Sequence, residues 1–183
     1  MGNVSGADKP KWKVSRTRYI VSLAILVVVG FVFAAFALGH IGNYEVISNS
    51  MAPTLLKGDR VIVDQRPSLV TDVGDVVALK DPENPVNLMT KRIAAVAGQQ
   101  VEVINGLLHV NAKPWAPPGL PATRIEAKRP HGPMTVAKDE VFVVGDNINN
   151  SEDSLVFGPV SADSVKGRLL FIYWPPSRMG RVH

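Results

Sequence analysis

Cysteine is absent from the 183-residue chain, so it can hold neither a disulfide framework nor a thiolate metal site, and its composition carries no sign of redox compartment. Histidine is scarce. The four present are His40 after a long apolar run, His109 in a strand-like segment, His131 in a Pro-rich stretch and His183 at the end of the sequence. None is embedded in a polar cluster, and neither HExxH nor paired-His spacing occurs, so a zinc peptidase has no support. Residues 39–183 also lack a convincing helical stripe, a repeat or a low-complexity tract. Net positive charge is missing outside the N-terminus: Lys9, Lys11, Lys13, Arg16 and Arg18 against Asp8 account for the whole net charge of +4. The remainder balances 15 basic against 15 acidic residues, so the basic composition belongs to one tail and no nucleic-acid partner is expected.

What is present first is apolar length. Tyr19 to Leu38, YIVSLAILVVVGFVFAAFAL, runs 20 residues interrupted by Ser22 and Gly30. A helix rising about 1.5 Å per residue spans roughly 30 Å over that length, the thickness of a bilayer's hydrocarbon core. A polar stripe that would seat it on a soluble domain is absent. By the positive-inside rule the basic tail, residues 1–18, is expected in the cytoplasm and residues 39–183 outside it. The Ala35–Ala37 sequence AFA resembles a small-x-small cleavage site, but the apolar core exceeds the ~7–15 residues of a cleavable signal peptide. The run reads as an uncleaved single-pass anchor over residues 19–38.

The 145 residues beyond it alternate short β-rich runs with turns. YEVI, RVIVD, DVVALK, LMTKRIAAV, QVEVI, LLHV, EVFVVG and RLLFIYW are the expected strands, with Asn105-Gly106 as a type I′ hairpin turn between two of them. The fold class expected is mainly β, an antiparallel sheet or partly closed barrel. Residues 111–133 carry six prolines and are expected to form an irregular excursion or a small flap.

Three polar segments interrupt this pattern. ISNSMAPTLLKGDRVIVD, Ile47 to Asp64, packs Ser48 and Ser50 between an apolar run and a strand. Hydrolysis by a serine needs a base for the hydroxyl and donors for the oxyanion, and no histidine is suitably placed. In NLMTKRIAAVAG strand alternation puts Lys91 on one face with Met89, Ile93 and Ala95, and Arg92 on the other. An amine in an apolar wall has its charged form disfavoured and can accept a proton. The same lysine at a strand edge can equally snorkel to water along its stem. VVGDNINNSEDSLVFGPV, Val143 to Val160, is longer and more polar than a turn requires, although Asp and Asn after a strand commonly make turns.

Taken together, SNSMAPTLLKGDRVIV, GDVVAL, KRIAAVAGQQV and GDNINNSEDS occur in the order in which the type I signal peptidases carry their motifs, and the chain resembles that family over essentially its whole length. These are membrane-anchored serine endopeptidases with a Ser–Lys dyad. The resemblance implies Ser50 as nucleophile and Lys91 as general base, with Ser48 as side-chain oxyanion donor beside the Ser50 N–H. It implies Ser151 as the hydroxyl that orients Lys91, Asp153 as a supporting carboxylate, and Asp146 paired with Arg92 as a brace. Val46, Ile47, Met51, Leu55 and Met89 flank the dyad and are the candidate walls of shallow pockets for small side chains. Implied partners are signal peptides of exported preproteins, cut after small-x-small sequences, together with the lipid bilayer and the protein-export machinery. No metal or organic cofactor is called for.

Two departures stand out. Family members usually place Arg directly after the last Asp-Ser, where this chain has Leu155, and their Lys-Arg segment usually continues to Gly-x-Pro-Gly-Asp, where this one reads AAVAGQQ. Leu155 sustains the alternative of a non-catalytic membrane-tethered β module. A soluble self-cleaving repressor-type protease, also built on a Ser–Lys dyad, fits poorly with the apolar run and with the lack of a DNA-binding segment.

Overall fold

The computed structural model describes residues 16–66, 72–126 and 132–183. Lys9, Lys11 and Lys13 of the basic tail, and residues 127–131 of the Pro-rich excursion with Pro130 and His131, lie outside them. The chain divides into two units, Met1–Leu38 and Gly39–His183. The first contains one helix, α1 (Arg16–Ala37), of 22 residues with none buried. At about 1.5 Å per residue it is long and apolar enough to cross a membrane. It starts ahead of Tyr19, so Arg16 and Arg18 occupy its first turn.

The second unit is mainly β. In chain order its strands are β1 (Ile41–Glu45), β2 (Arg60–Asp64), β3 (Val76–Lys80), β4 (Leu88–Val96), β5 (Gln100–Ile104) and β6 (Leu107–Val110). Then follow β7 (Lys113–Pro114), β8 (Met134–Thr135), β9 (Glu140–Val144), a single-turn helix α2 (Ser154–Phe157), β10 (Val160–Ser161), β11 (Val165–Trp174) and β12 (Gly180–Arg181). The large sheet has the order β1-β2-β11-β3-β4-β9-β10, with β12 added to β11; the small one is β7-β6-β5-β8. Every pairing among them is antiparallel. Register shifts in β11 at Val165/Gly167, Leu169/Phe171 and Ile172/Trp174, and in β4 at Ile93/Ala95, add local twist and bend. The large sheet is accordingly a curled half-barrel.

Local sequence explains most of these elements. Val61 and Val63 alternate inward along β2, while β3 is buried from Val76 to Leu79. Asn105 and Gly106 adopt φ of 52° and 77°, as the expected I′ turn between β5 and β6 demands. Three expectations shift. The first strand, expected over Tyr44–Ile47, instead runs Ile41–Glu45. Val46 has left the sheet edge: its N–H donates to the Asp59 carbonyl and its carbonyl accepts from Gly58 N, both at 2.8 Å. In β4 Met89 and Ile93 share a cluster with Val77 and Leu79, but the bulge sends Ala95 into another with Phe142, Val144 and Leu155. The Pro-rich excursion is not irregular throughout, since Lys113–Pro114 pairs with His109 and Val110.

A charged pair is buried in the β unit. Arg92 on β4 has no exposure to solvent. Its Nε donates to Asp146 Oδ1 at 2.8 Å and its Nη2 to Asp146 Oδ2 at 2.7 Å. Nη1 donates to the Gly74 carbonyl at 2.6 Å and Nη2 to the His183 carbonyl at 2.8 Å. Thr54 Oγ1 donates to Asp146 Oδ2 at 2.5 Å. Removing one partner of such a pair strands a buried charge, at about 3–5 kcal/mol. Asp146→Ala is therefore expected to lose stability on that scale in urea unfolding. Arg92→Met combined with Asp146→Leu, which removes both charges, is expected to lose less than either single charge deletion.

Asp64, at the end of β2, accepts from Arg66 Nε at 2.9 Å and Nη2 at 2.6 Å. That hydrogen bond, opposed by burial, holds its carboxyl below the usual value. A depressed carboxylate stabilises the fold above its unfolded pKa, roughly 3.9, and this contribution disappears as pH falls through the folded value. Asp64→Asn should flatten the acid side of the urea midpoint plotted against pH, below about pH 4.

Candidate active site

Ser50 sits in a turn-rich loop between β1 and β2, closed at its base by the paired hydrogen bonds of Val46 with Gly58 and Asp59. Within it Ala52 N donates to the Asn49 carbonyl at 3.1 Å and Leu55 N to the Met51 carbonyl at 2.9 Å, and the Ala52–Pro53 bond is cis. Met51 and Leu55 turn inward and are buried with Val46, Val61 and Val63. The loop is thus nailed down by its apolar residues while its serines stay outside. Ser50 is half-buried and Ser48 exposed, with their hydroxyl oxygens 3.1 Å apart. The Ser50 carbonyl accepts from Asn147 N at 3.0 Å, and Asn147 Nδ2 donates to the Asn49 carbonyl at 3.2 Å. The segment following β9 therefore holds the serine loop from the side.

Lys91 is carried by β4, where it stands opposite Val77 of β3. It is buried, with 4% of its surface exposed. Ser151 and Asp153 are buried as well. Gly145 joins them to the Ser50 loop: a β-carbon placed on it would lie 2.5 Å from the Ser50 carbonyl oxygen and 2.6 Å from Ser151 Cβ. Only a residue without a side chain lets these three segments meet. Asp153 caps α2, accepting from Leu155 N at 3.1 Å through Oδ1 and from Gly145 N at 3.0 Å through Oδ2. Leu155 itself is a core residue, 2% exposed, packed with Phe142 and Val144. The carboxylate is thus met by backbone N–H groups at the position where an arginine was expected to follow.

A cleft of about 500 Å³ brings Ser48, Ser50 and Lys91 together with Val46, Ile47, Met51 and Met89. Leu55, expected in its wall, lies outside the lining and is wholly buried in the core, because the turn from Met51 folds it beneath the loop. Ser151, Asp153, Asp146 and Arg92 also stand behind the cleft, outside its lining. Sequence reasoning passed over Ala78, Leu88 and Leu169, which complete the apolar wall. It also passed over Thr54, Gly145 and Asn147, which tie the loop to its surroundings. All three lay inside quoted motifs, but nothing in their spacing reveals the partner each meets. Two adjacent hydroxyls and a buried amine opening on one cleft are the components needed for attack by an activated serine.

Comparison with known proteins gives the family. A family model described as signal peptidase, peptidase S26, matches residues 16–174. A probable signal peptidase I-1 of Synechocystis sp. is 36% identical over 155 residues, covering 74% of this chain and 72% of the relative. Signal peptidase I of Bacillus amyloliquefaciens is 32% identical over 142 residues, covering 72% and 73%. Thylakoidal processing peptidase 1, chloroplastic, of Arabidopsis thaliana is 39% identical over 151 residues, covering 74% of this chain and 42% of that longer relative. With the family model spanning both the apolar helix and nearly all of the β unit, the chain belongs to the signal peptidase family, peptidase S26.

Proposed function

We propose that this chain is a membrane-anchored serine endopeptidase that removes signal peptides from exported preproteins, with Ser50 as nucleophile and Lys91 as general base. The observation that carries the reading is the cleft in which the Ser48 and Ser50 hydroxyls, 3.1 Å apart, meet a lysine buried in a β-strand. Burial disfavours the ammonium form of Lys91, and a neutral amine accepts the Ser50 proton as Oγ attacks the scissile carbonyl. The tetrahedral oxyanion is received by the Ser48 hydroxyl and the Ser50 N–H. The Lys91 ammonium returns its proton to the leaving amine, and the freed amine then activates water against the acyl-enzyme. Ser151 orients the amine, and Asp153 supports it by fixing Gly145 and the start of α2.

Two open strand edges support an extended substrate. β1 is the edge of the large sheet, and Leu88–Lys91 of β4 pair only with β3, because β9 joins from Arg92 onward. Both border the cleft. A peptide laid between them gains main-chain hydrogen bonds, and closely packed Val46, Met51 and Met89 leave room for alanine-sized side chains. Its other partners are the bilayer, through α1, and the protein-export machinery. By the positive-inside rule the basic tail supports a cytoplasmic N-terminus with the β unit outside, most naturally on a bacterial plasma membrane. Protease added to intact spheroplasts should then digest the β unit, whereas full protection would reverse that orientation. The alternative, a non-catalytic membrane-tethered β module, rested on Leu155, which packs in the core while Asp153 accepts from backbone N–H groups; absence of product from the wild-type chain would favour it.

Purified protein incubated with a preprotein is expected to release the mature product, and Ser50→Ala or Lys91→Ala to lower the rate by on the order of 10⁶-fold, because nucleophile and base act as a unit. Ser48→Ala should cost less, on the order of 10²–10³ in kcat. Normal turnover by Lys91→Ala would sink the dyad.

Gly145→Ala forces a methyl group onto the Ser50 carbonyl and Ser151. It is expected to cut kcat by about 10²-fold through misplacement of the loop, measured in the same cleavage assay. Unaltered kcat would show that the contact does not set the site.

A further inference from the structure

The end of the β unit reaches the loop that carries Ser50. After β11 the chain turns at Pro176–Arg178 and returns as β12. Arg178 Nε donates to Asp59 Oδ1 at 2.9 Å, and its Nη2 donates to Asp59 Oδ2 at 3.0 Å. The same Nη2 also reaches the carbonyls of Thr54 at 3.1 Å and Pro53 at 3.4 Å. Asp59 is buried, and its Oδ2 accepts from Leu56 N at 2.8 Å. One guanidinium thus grips the loop at the two carbonyls soon after Ser50 and at the carboxylate that closes it. Further along the segment, Val182 packs against the cluster containing Met51 and Leu55, and the His183 carbonyl accepts from Arg92, next to Lys91.

We propose that Pro176–His183 is a strap that sets the nucleophile loop against the strand of the general base, with Arg178 as its positioning residue. The proposal rests on the Ser50–Lys91 reading above. Arg178 lies outside the cleft lining, so it acts through the loop and does not touch substrate. Its planar fork matches a carboxylate and two carbonyls together, which a lysine ammonium reproduces only in part. With 29% of its side chain exposed, its replacement opens no large cavity.

Arg178→Gln, Arg178→Lys and Asp59→Asn, made in the full chain, test this on a synthetic peptide spanning an Ala-x-Ala junction. Arg178→Gln is expected to lower kcat by about 10²-fold with KM within about threefold of wild type, as expected for interactions felt chiefly in the transition state. Arg178→Lys should recover part of the loss. The Arg178→Gln, Asp59→Asn double variant should be little worse than either single, because contacting residues are non-additive. Hydrogen exchange should quicken in residues 51–59 while β4 keeps its protection. Wild-type kcat in Arg178→Gln overturns the strap, and so does faster exchange spread evenly over the β unit. A wild-type chain that cleaves no such peptide overturns the functional reading instead. Exchange in Arg178→Gln then decides the strap alone: quickening confined to residues 51–59 supports it, and no change overturns it.

Discussion

A guanidinium shut away from water must find its hydrogen-bond acceptors inside the protein, and Arg92 finds them on segments far apart in sequence. Asp146 takes two of its N–H groups, Gly74 one and His183 another. Thr54 completes the knot through Asp146. Replacing such a group by packed hydrocarbon is often neutral or stabilising, so its worth is not measured by stability alone. What the arrangement fixes is geometry. Arg92 is covalently next to Lys91, Thr54 lies four residues after Ser50, and Asp146 directly follows Gly145, which touches both Ser50 and Ser151. Two partners of the buried charge, Asp146 and Thr54, therefore stand close in sequence to groups at the candidate site. An acceptor that drifted away would leave a buried donor unmet, at about 1–3 kcal/mol or more, so the network resists the ångström-scale shifts that nucleophilic chemistry tolerates least.

How much of this was legible in the sequence depends on the range of each interaction. Strands β2 to β6 and the Asn105-Gly106 turn declared themselves because alternation and turn chemistry are local. The pairing of Lys91 and Arg92 on adjacent positions of β4 was readable for the same reason. Alternation failed at Ala95, where a bulge that no local pattern marks shifts the register. The first strand was displaced because Val46 and Ile47 look like strand residues, yet the hydrogen bonds of Val46 are taken by Gly58 and Asp59. Leu55 was assigned to the cleft on closeness to Ser50, and a single turn was enough to bury it instead.

The fate of Asp153 shows the same limit from another side. Read against its family, the chain lacks the arginine expected after Asp153-Ser154, and the carboxylate looked stranded. In the fold it caps a one-turn helix and accepts from Gly145 N, two roles that require no cation. Asp ahead of a short helix is itself an N-cap signal, so half of the answer was available locally. The other half, Gly145 N, required knowing that the end of β9 passes beside α2. Leu155 then becomes useful in its own right, filling the core between the two sheets where a charged side chain would need its own partner.

The cleft inherits its shape from that core. Val46 and Met51 line it and at the same time belong to the cluster beneath β2 and β11. Met51 is 1% exposed, so it faces the cleft with almost no freedom to move aside. A wall made of packed core side chains yields little, because interiors are dense and low in compressibility. On the proposed reading, small side chains are accepted and larger ones refused without any dedicated selectivity group, since making room would mean repacking the core that also seats the Ser50 loop. The selectivity proposed for the cleft and the placement of Ser50 are then two consequences of one packing arrangement. A substitution that widens the pocket at Met51 acts on both.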